Sequence, residues 1–433
     1  MNTRPAFLVC NTIYIISNIA LATQNSYAAL LVLRMLQSCG SSGTISLRNG
    51  IIAAIFTPAE RGTYMGIIAG VTLCAPAFGP LIGGALTQTL GWRSIFWGLT
   101  IFTTAQTLIY ALFVPETNRR VVGDGSIEPE QWWNKTAWQL MRGSASQKVT
   151  SSKATPTKVK LRWPNPIKVL AMLKEPDIAL LIVTGSLCNA ATYDIMASLP
   201  YMMTHTYGLS IIQLSLCYMY VDHASPSHIL LLANPHRPLG IGAALGAILW
   251  GRLLNYSWKR TALRHNLPYD RKRLSSDLLR TFPLEEARLN DALPSILLSA
   301  AFLMGYGWSI NFHAPLAVPL VLIFIGGLML PGAVMGRQTL LVDSYPLAPS
   351  SVTAAQNIVR CLIGAGATAV VQPMLTGIGD GWTFTILGLL VVLTLPPVWV
   401  QKRWGPVWRE RRALREEQLE KRKATTGGEV AVK

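Results

Sequence analysis

Charge is scarce in this sequence, and acid is the scarcer sign: 21 Asp and Glu stand against 38 Lys and Arg in 433 residues, and the four types together make up 14% of the chain. With 51% hydrophobic residues beside it, so little charge excludes an ordinary soluble domain of this size. Cysteine is sparse as well. Cys10, Cys39, Cys74, Cys188, Cys217 and Cys361 are scattered without close pairs, so neither a disulfide framework nor a zinc site is indicated. The apolar runs hold no His box, no Ser/His/Asp set and no paired carboxylates. No enzyme, no metal and no cofactor are therefore expected.

What the chain does have is long apolar runs. They lie near 6–23, 28–54, 64–89, 92–114, 177–199, 293–312, 316–342, 353–376 and 382–400, with a broken one between 210 and 251. A bilayer core about 30 Å thick needs roughly 20 apolar residues per helical span, so about ten transmembrane helices are expected. Lipid offers the backbone no hydrogen bonds, and the runs lack the short alternation of a barrel strand, which makes the fold all-α. The first run lacks a small-residue cleavage site and is expected to remain as a helix.

The excess of positive charge, +17, is unevenly placed: thirty of the 38 Lys and Arg fall in 116–175, 251–292 and 402–433. Threading ten spans with the amino terminus inside puts all three clusters on one side, the pattern of cytoplasmic loops. Anionic lipid at that face is the expected partner, and nucleic acid is not. The polar stretch from Pro115 to Pro176, Ser/Thr/Lys-rich in its middle, reads as a basic cytoplasmic linker. It ends in a short amphipathic segment, Trp163 to Lys174. The expected organisation is thus a helical bundle over 1–114, the linker over 115–176, a second bundle over 177–401 and a basic cytoplasmic tail over 402–433. Between two half-spans, residues 221–239 carry Asp222, His223, His228, His236 and three prolines, and are expected to be an insertion within one helix.

From Gly66 the chain reads Gly-Ile-Ile-Ala-Gly-Val-Thr-Leu-Cys-Ala-Pro-Ala-Phe-Gly79-Pro80-Leu-Ile-Gly83-Gly84. This resembles the antiporter motif of drug:proton exporters of the major facilitator superfamily. Gly66, Gly79, Pro80, Gly83 and Gly84 are in register and Ala75 replaces a glycine. Small residues let helices approach closely, and a mid-span proline bends one. Leu33-Arg34-Met-Leu-Gln37 is similar to a motif of the family's fourth helix, and the likeness continues through Pro58-Ala-Glu60-Arg61-Gly62, Gly91-Trp92-Arg93, Pro115-Glu116-Thr117, Leu340-Leu-Val-Asp343 and Ala354 to Gly364. The resemblance is to the fungal branch of the twelve-helix drug:proton antiporter family. It implies a two-bundle transporter whose first helix here matches the family's third, as in a chain truncated at its amino terminus. The chain departs from the pattern at Ala54 and Asn255, where aspartate is common, and in the absent loop motif before Arg4-Pro5.

Polar groups within spans are the default functional candidates. Arg34, Gln37, Asn189, Asp194, Asn357 and Arg360 are expected to serve proton coupling or the substrate cavity, with Tyr193 beside them. The resemblance associates Arg34 with proton coupling. For Asp194 two readings stand, a titrating or cation-binding carboxylate and an inert residue at the outer interface. The expected function is export of a small organic molecule, whether drug, secondary metabolite or organic acid, by proton antiport at the plasma membrane. The alternatives are a non-transporting sensor on the same fold and an inactive carrier.

Overall fold

The computed structural model describes residues 3–118, 122, 131–136, 166–208, 239–267, 282–345 and 348–430. Most of the described residues are helical. Their α-helices are α1 (Thr3–Thr23), α2 (Tyr27–Ile55), α3 (Pro58–Leu90), α4 (Arg93–Phe113), α5 (Pro166–Ala171), α6 (Pro176–Tyr207), α7 (Leu239–Arg264), α8 (Leu284–Leu289), α9 (Ala292–Asn311), α10 (Ala317–Ser344), α11 (Pro349–Ile378), α12 (Asp380–Val392) and α13 (Leu395–Val430). The all-α expectation holds. The insertion expected at 221–239, apart from its last residue at the start of α7, lies outside the described residues, as does the middle of the linker.

Local chemistry sets the helix ends. Prolines begin α3, α6 and α11, where the missing N–H costs nothing. Gly208 ends α6 at φ 64°, a left-handed conformation that glycine adopts without strain. Glu116, in the Pro-Glu-Thr sequence after α4, caps α1 from a distance: its carboxylate accepts the backbone N–H groups of Thr3 at 3.2 Å and Arg4 at 3.1 Å.

Seven of the helical segments are long and apolar enough to cross a membrane: α1, α4, α6, α8 with α9, α10, α11, and α12 running into α13. The expected ten also counted α2, α3 and α7. These are as long, at 29, 33 and 26 residues, but glycine, serine, threonine and arginine dilute their apolar character. All three take part in the contacts where the two bundles meet.

In the first bundle α1 packs against α2 and α4, around Leu21, Ala22 and Phe96. In the second, α6 packs on α11, α9 on α12, and α10 on both α7 and α9, around a large core that includes Ile182, Leu199, Tyr306 and Phe384. The bundles join through α3 on α7 and α2 on α11. Here Gly66 faces Gly251: a Cβ on Gly66 would stand 2.6 Å from the Ala247 carbonyl oxygen and 2.8 Å from the Gly251 Cα. Gly62 and Gly70, one turn to either side, are similarly close to α7. The helices therefore touch backbone to backbone. Asn255 extends the seam by donating to the Glu60 carbonyl at 3.2 Å and the Thr63 hydroxyl at 2.7 Å.

The basic tail is helical and returns to the second bundle. Arg412 pairs with Asp177 at 2.6 Å, Arg415 with Glu175 at 2.8 Å and Arg409 with Glu285 at 3.3 Å. These contacts hold α13 across the starts of α6 and α8. The amphipathic segment is a short helix, α5, continued by a 3-10 turn at Met172–Lys174, with Val169, Met172 and Leu173 against the core.

Candidate functional site

A cavity of about 170 Å³ lies between α2 and α3 on one side and α6, α7, α10 and α11 on the other. Helical periodicity aims its polar groups. On α6, Asn189 and Thr192 lie three residues apart on one face. On α11, Thr353, Gln356, Asn357 and Arg360 occupy positions i, i+3, i+4 and i+7 and line the same space. From the first bundle come Arg48 on α2 and Thr72 on α3. Pro331, inside α10, also lines the cavity with Gly327, the residue whose carbonyl loses its helical donor to that proline.

The two arginines are held by neutral partners. Arg48 donates to the Thr72 hydroxyl at 2.6 Å, and Arg360 donates to the Asn357 side-chain oxygen at 2.5 Å. Arg360 also lies 5.9 Å from the centre of the Tyr193 ring, which occupies the room left by Gly364. The two arginines line the same cavity, and no carboxylate lines it among the described residues.

The structure thus brings together three of the expected site residues, Asn189, Asn357 and Arg360, with Tyr193 beside them. It places the others elsewhere. Arg34 is exposed, fourteen residues or about 21 Å along α2 from Arg48. It donates to Gln37 at 3.1 Å and stands over the Phe96 ring at 4.9 Å, and Gln37 in turn donates to Asn18 at 2.8 Å. Asp194 is fully buried in α6, and neither carboxylate oxygen has a hydrogen-bond partner among the described residues. It is not among the cavity's lining residues.

Of the antiporter-motif glycines Gly66, Gly79 and Gly83, Gly66 alone makes a close backbone contact among the described residues. A Cβ on Gly79 would meet nothing within 4 Å, one on Gly83 would meet only the Ile95 side chain at 3.8 Å, and Gly84 is half-exposed. The Pro80 side chain lies outside the described residues.

Sequence reading passed over Arg48, although the signal was present: it is a second arginine in an α2 that carries no acid. It also passed over a charge cluster that joins the bundles at the end of the molecule where the α2–α3 turn lies. Arg61 of α3 and Arg288 of α8 both pair with Asp343 at the end of α10; the Arg288 contact is 2.9 Å, and Arg288 also donates to the Pro58 carbonyl at 2.5 Å. All three side chains are buried, and the Arg288 guanidinium stacks 4.5 Å from the Trp258 ring. Asp343 and Arg61 each belong to stretches of family likeness, but their meeting across 282 residues is a tertiary fact.

Comparison with known proteins agrees with this geometry. The family model described as Major Facilitator Superfamily matches residues 1–264. The MFS-type transporter phiD of Fungal sp. is 35% identical over 419 residues, 96% of this chain; the chain spans 60% of the length of that relative. The MFS-type transporter M6 of Phoma sp. is 37% identical over 408 residues, covering 94% of this chain and 70% of M6. Citrate exporter 1 of Aspergillus niger is 32% identical over 416 residues, covering 95% of this chain and 75% of that protein. Among solved structures, the human organic anion transporter MFSD10 (TETRAN) superposes with a TM-score of 0.57 at 16% identity, over 92% of this chain and 77% of that one, a likeness of fold. The protein is an integral, multi-pass membrane protein. With a family match over more than half its length and fungal relatives of the same kind aligned over nearly all of this chain, the chain belongs to the Major Facilitator Superfamily.

Proposed function

We propose that this chain is an efflux carrier that exports a small organic molecule by proton antiport across the plasma membrane. The observation that carries the reading is the cavity between the two bundles, lined by helices of both. Alternating access needs a site reached from either side as one bundle rocks against the other, and a cavity lined by both bundles has that form. The fungal MFS-type relatives, and one relative named for citrate export, support the direction. Proton coupling is supported by the likeness of the Gly66–Gly84 run to the antiporter motif and by Asp194, a buried carboxylate without a hydrogen-bond partner among the described residues that can take up and release one proton per cycle. In an efflux-deficient yeast, expression of the chain should lower retention of the exported compound, and an uncoupler should abolish the difference. Asp194→Asn should remove the uncoupler sensitivity and leave substrate binding. Export that survives the uncoupler would sink the antiport reading.

We assign the end bearing the linker and α13 to the cytoplasm, from the three basic clusters. Single cysteines at Ser146 and Thr425, in a cysteine-free background, should resist an impermeant maleimide in intact cells and react after permeabilisation. Reaction of either in intact cells would reverse the assignment.

A further inference from the structure

We infer that the substrate is a small organic anion whose carboxylate is gripped between Arg48 and Arg360, one guanidinium from each bundle. The inference rests on the carrier reading and deepens it by giving the substrate a charge. The cavity is lined by two arginines and no acid among the described residues. Each guanidinium has five N–H donors. Arg48 gives one bond to Thr72, Arg360 gives one to Asn357, and the Arg48 Nε is buried without a partner. Both partners are neutral, so among the described residues no acid compensates the charges. A cationic drug entering this space would meet like charge at close range. A carboxylate would satisfy the free donors in the bidentate geometry that suits guanidinium and would neutralise two groups that otherwise repel across the bundle interface.

Asp194 does not change this balance. It lies on α6 with Asn189 and Thr192 but is not among the residues lining the space. Of the helices packed on α6, α11 contributes Arg360, and α10 contributes Arg337, which is turned to Cys188 and Thr394. Size points the same way. At about 170 Å³ the cavity is below the roughly 300 Å³ at which ordinary drug-sized pockets begin, and it suits a compact acid better than a multi-ring drug. Around the arginines, Asn189, Gln338 and Gln356 offer side-chain amides, and the buried Gln356 Oε1 has no partner. These amides can read hydroxyl or second carboxyl groups on the same molecule. The anion also has a place in the cycle: it brings the two bundles' charges into balance, so the loaded carrier can close over it.

The test uses the full chain purified in detergent and reconstituted in proteoliposomes. Citrate, succinate and benzoate are the anionic probes and tetraphenylphosphonium is the cationic control, with binding followed by calorimetry and transport by counterflow. At least one of the acids should bind, and Arg48→Gln and Arg360→Gln should each weaken it by about tenfold or more. Arg48→Lys, which keeps the charge and loses the fork, should fall between. Size-exclusion profiles and unchanged melting temperatures would show that the variants fold. Binding of tetraphenylphosphonium but none of the acids, or acid binding unchanged in both glutamine variants, overturns the inference. Acid binding that depends on the arginines, without counterflow of any probe, upholds the anion site and removes the carrier reading. Counterflow of tetraphenylphosphonium alone does the reverse.

Discussion

Gly66→Leu is expected to abolish accumulation of the folded protein in the membrane. The position has no room: even a Cβ would lie 2.6 Å from the Ala247 carbonyl oxygen and 2.8 Å from the Gly251 Cα, both backbone atoms. A crowded side chain can change rotamer, but two helix backbones in contact can only separate. Overpacking a core costs about 1–3 kcal/mol and more where nothing can shift. Separation here would also break the Asn255 hydrogen bonds to Glu60 and Thr63 and open the apolar seam of Met65, Ala247, Trp250 and Leu254. Gly251→Leu should behave alike, because its Cβ would meet the Gly62 carbonyl oxygen at 2.7 Å and the Gly66 Cα at 2.8 Å. Gly83→Ala is the control and should be silent, since the added carbon meets only Ile95 at 3.8 Å. The readout is the amount in the membrane fraction and the melting temperature after extraction. Equal accumulation of Gly66→Leu and Gly83→Ala would show that the α3–α7 contact does not hold the bundles together.

Asp343→Asn should free the bundles at the α2–α3 end. The wild-type carboxylate is the shared acceptor for Arg61 and Arg288, and all three groups are buried. Removing the acid from such a cluster leaves two uncompensated cations close together, and breaking a buried pair from one side typically costs about 3–5 kcal/mol. That is large against the conformational preference of a carrier that must open and close, so the joined arrangement should be lost first. A cysteine at Ala59, buried beside the Pro58 carbonyl that accepts from Arg288, reports it. In a cysteine-free background it should react slowly with a maleimide and several-fold faster once Asp343→Asn is added. Asp343→Glu should restore much of the protection. If the asparagine variant stays as protected as the parent, the cluster does not act as the latch between the bundles.

Much of the architecture was legible from the chain alone because it depends on local, one-dimensional properties. Whether a segment enters lipid follows from its own apolar content, and in lipid a lone segment must be helical. Three and four residues is the spacing of one helix face, so Asn357 beside Arg360 could be read directly. The seam was less legible. It depends on which faces of α2, α3 and α7 meet α11, α7 and α3, and a segment's composition names no partner.

What only the tertiary structure decided is which faces meet. Arg34 and Arg48 sit on the same helix, yet one is exposed beside Phe96 and the other lines the cavity with Arg360. The glycines of the antiporter motif look alike in sequence, but Gly66 is pressed against α7 while Gly79 has open space. Arg61 and Asp343 are 282 residues apart, and the pairing follows from how the two bundles dock. Spacing along a helix sets the angle between two side chains. It leaves free the rotation of the helix about its axis and the choice of neighbour, and these are settled by close packing of small residues and by burying each charge where another can compensate it.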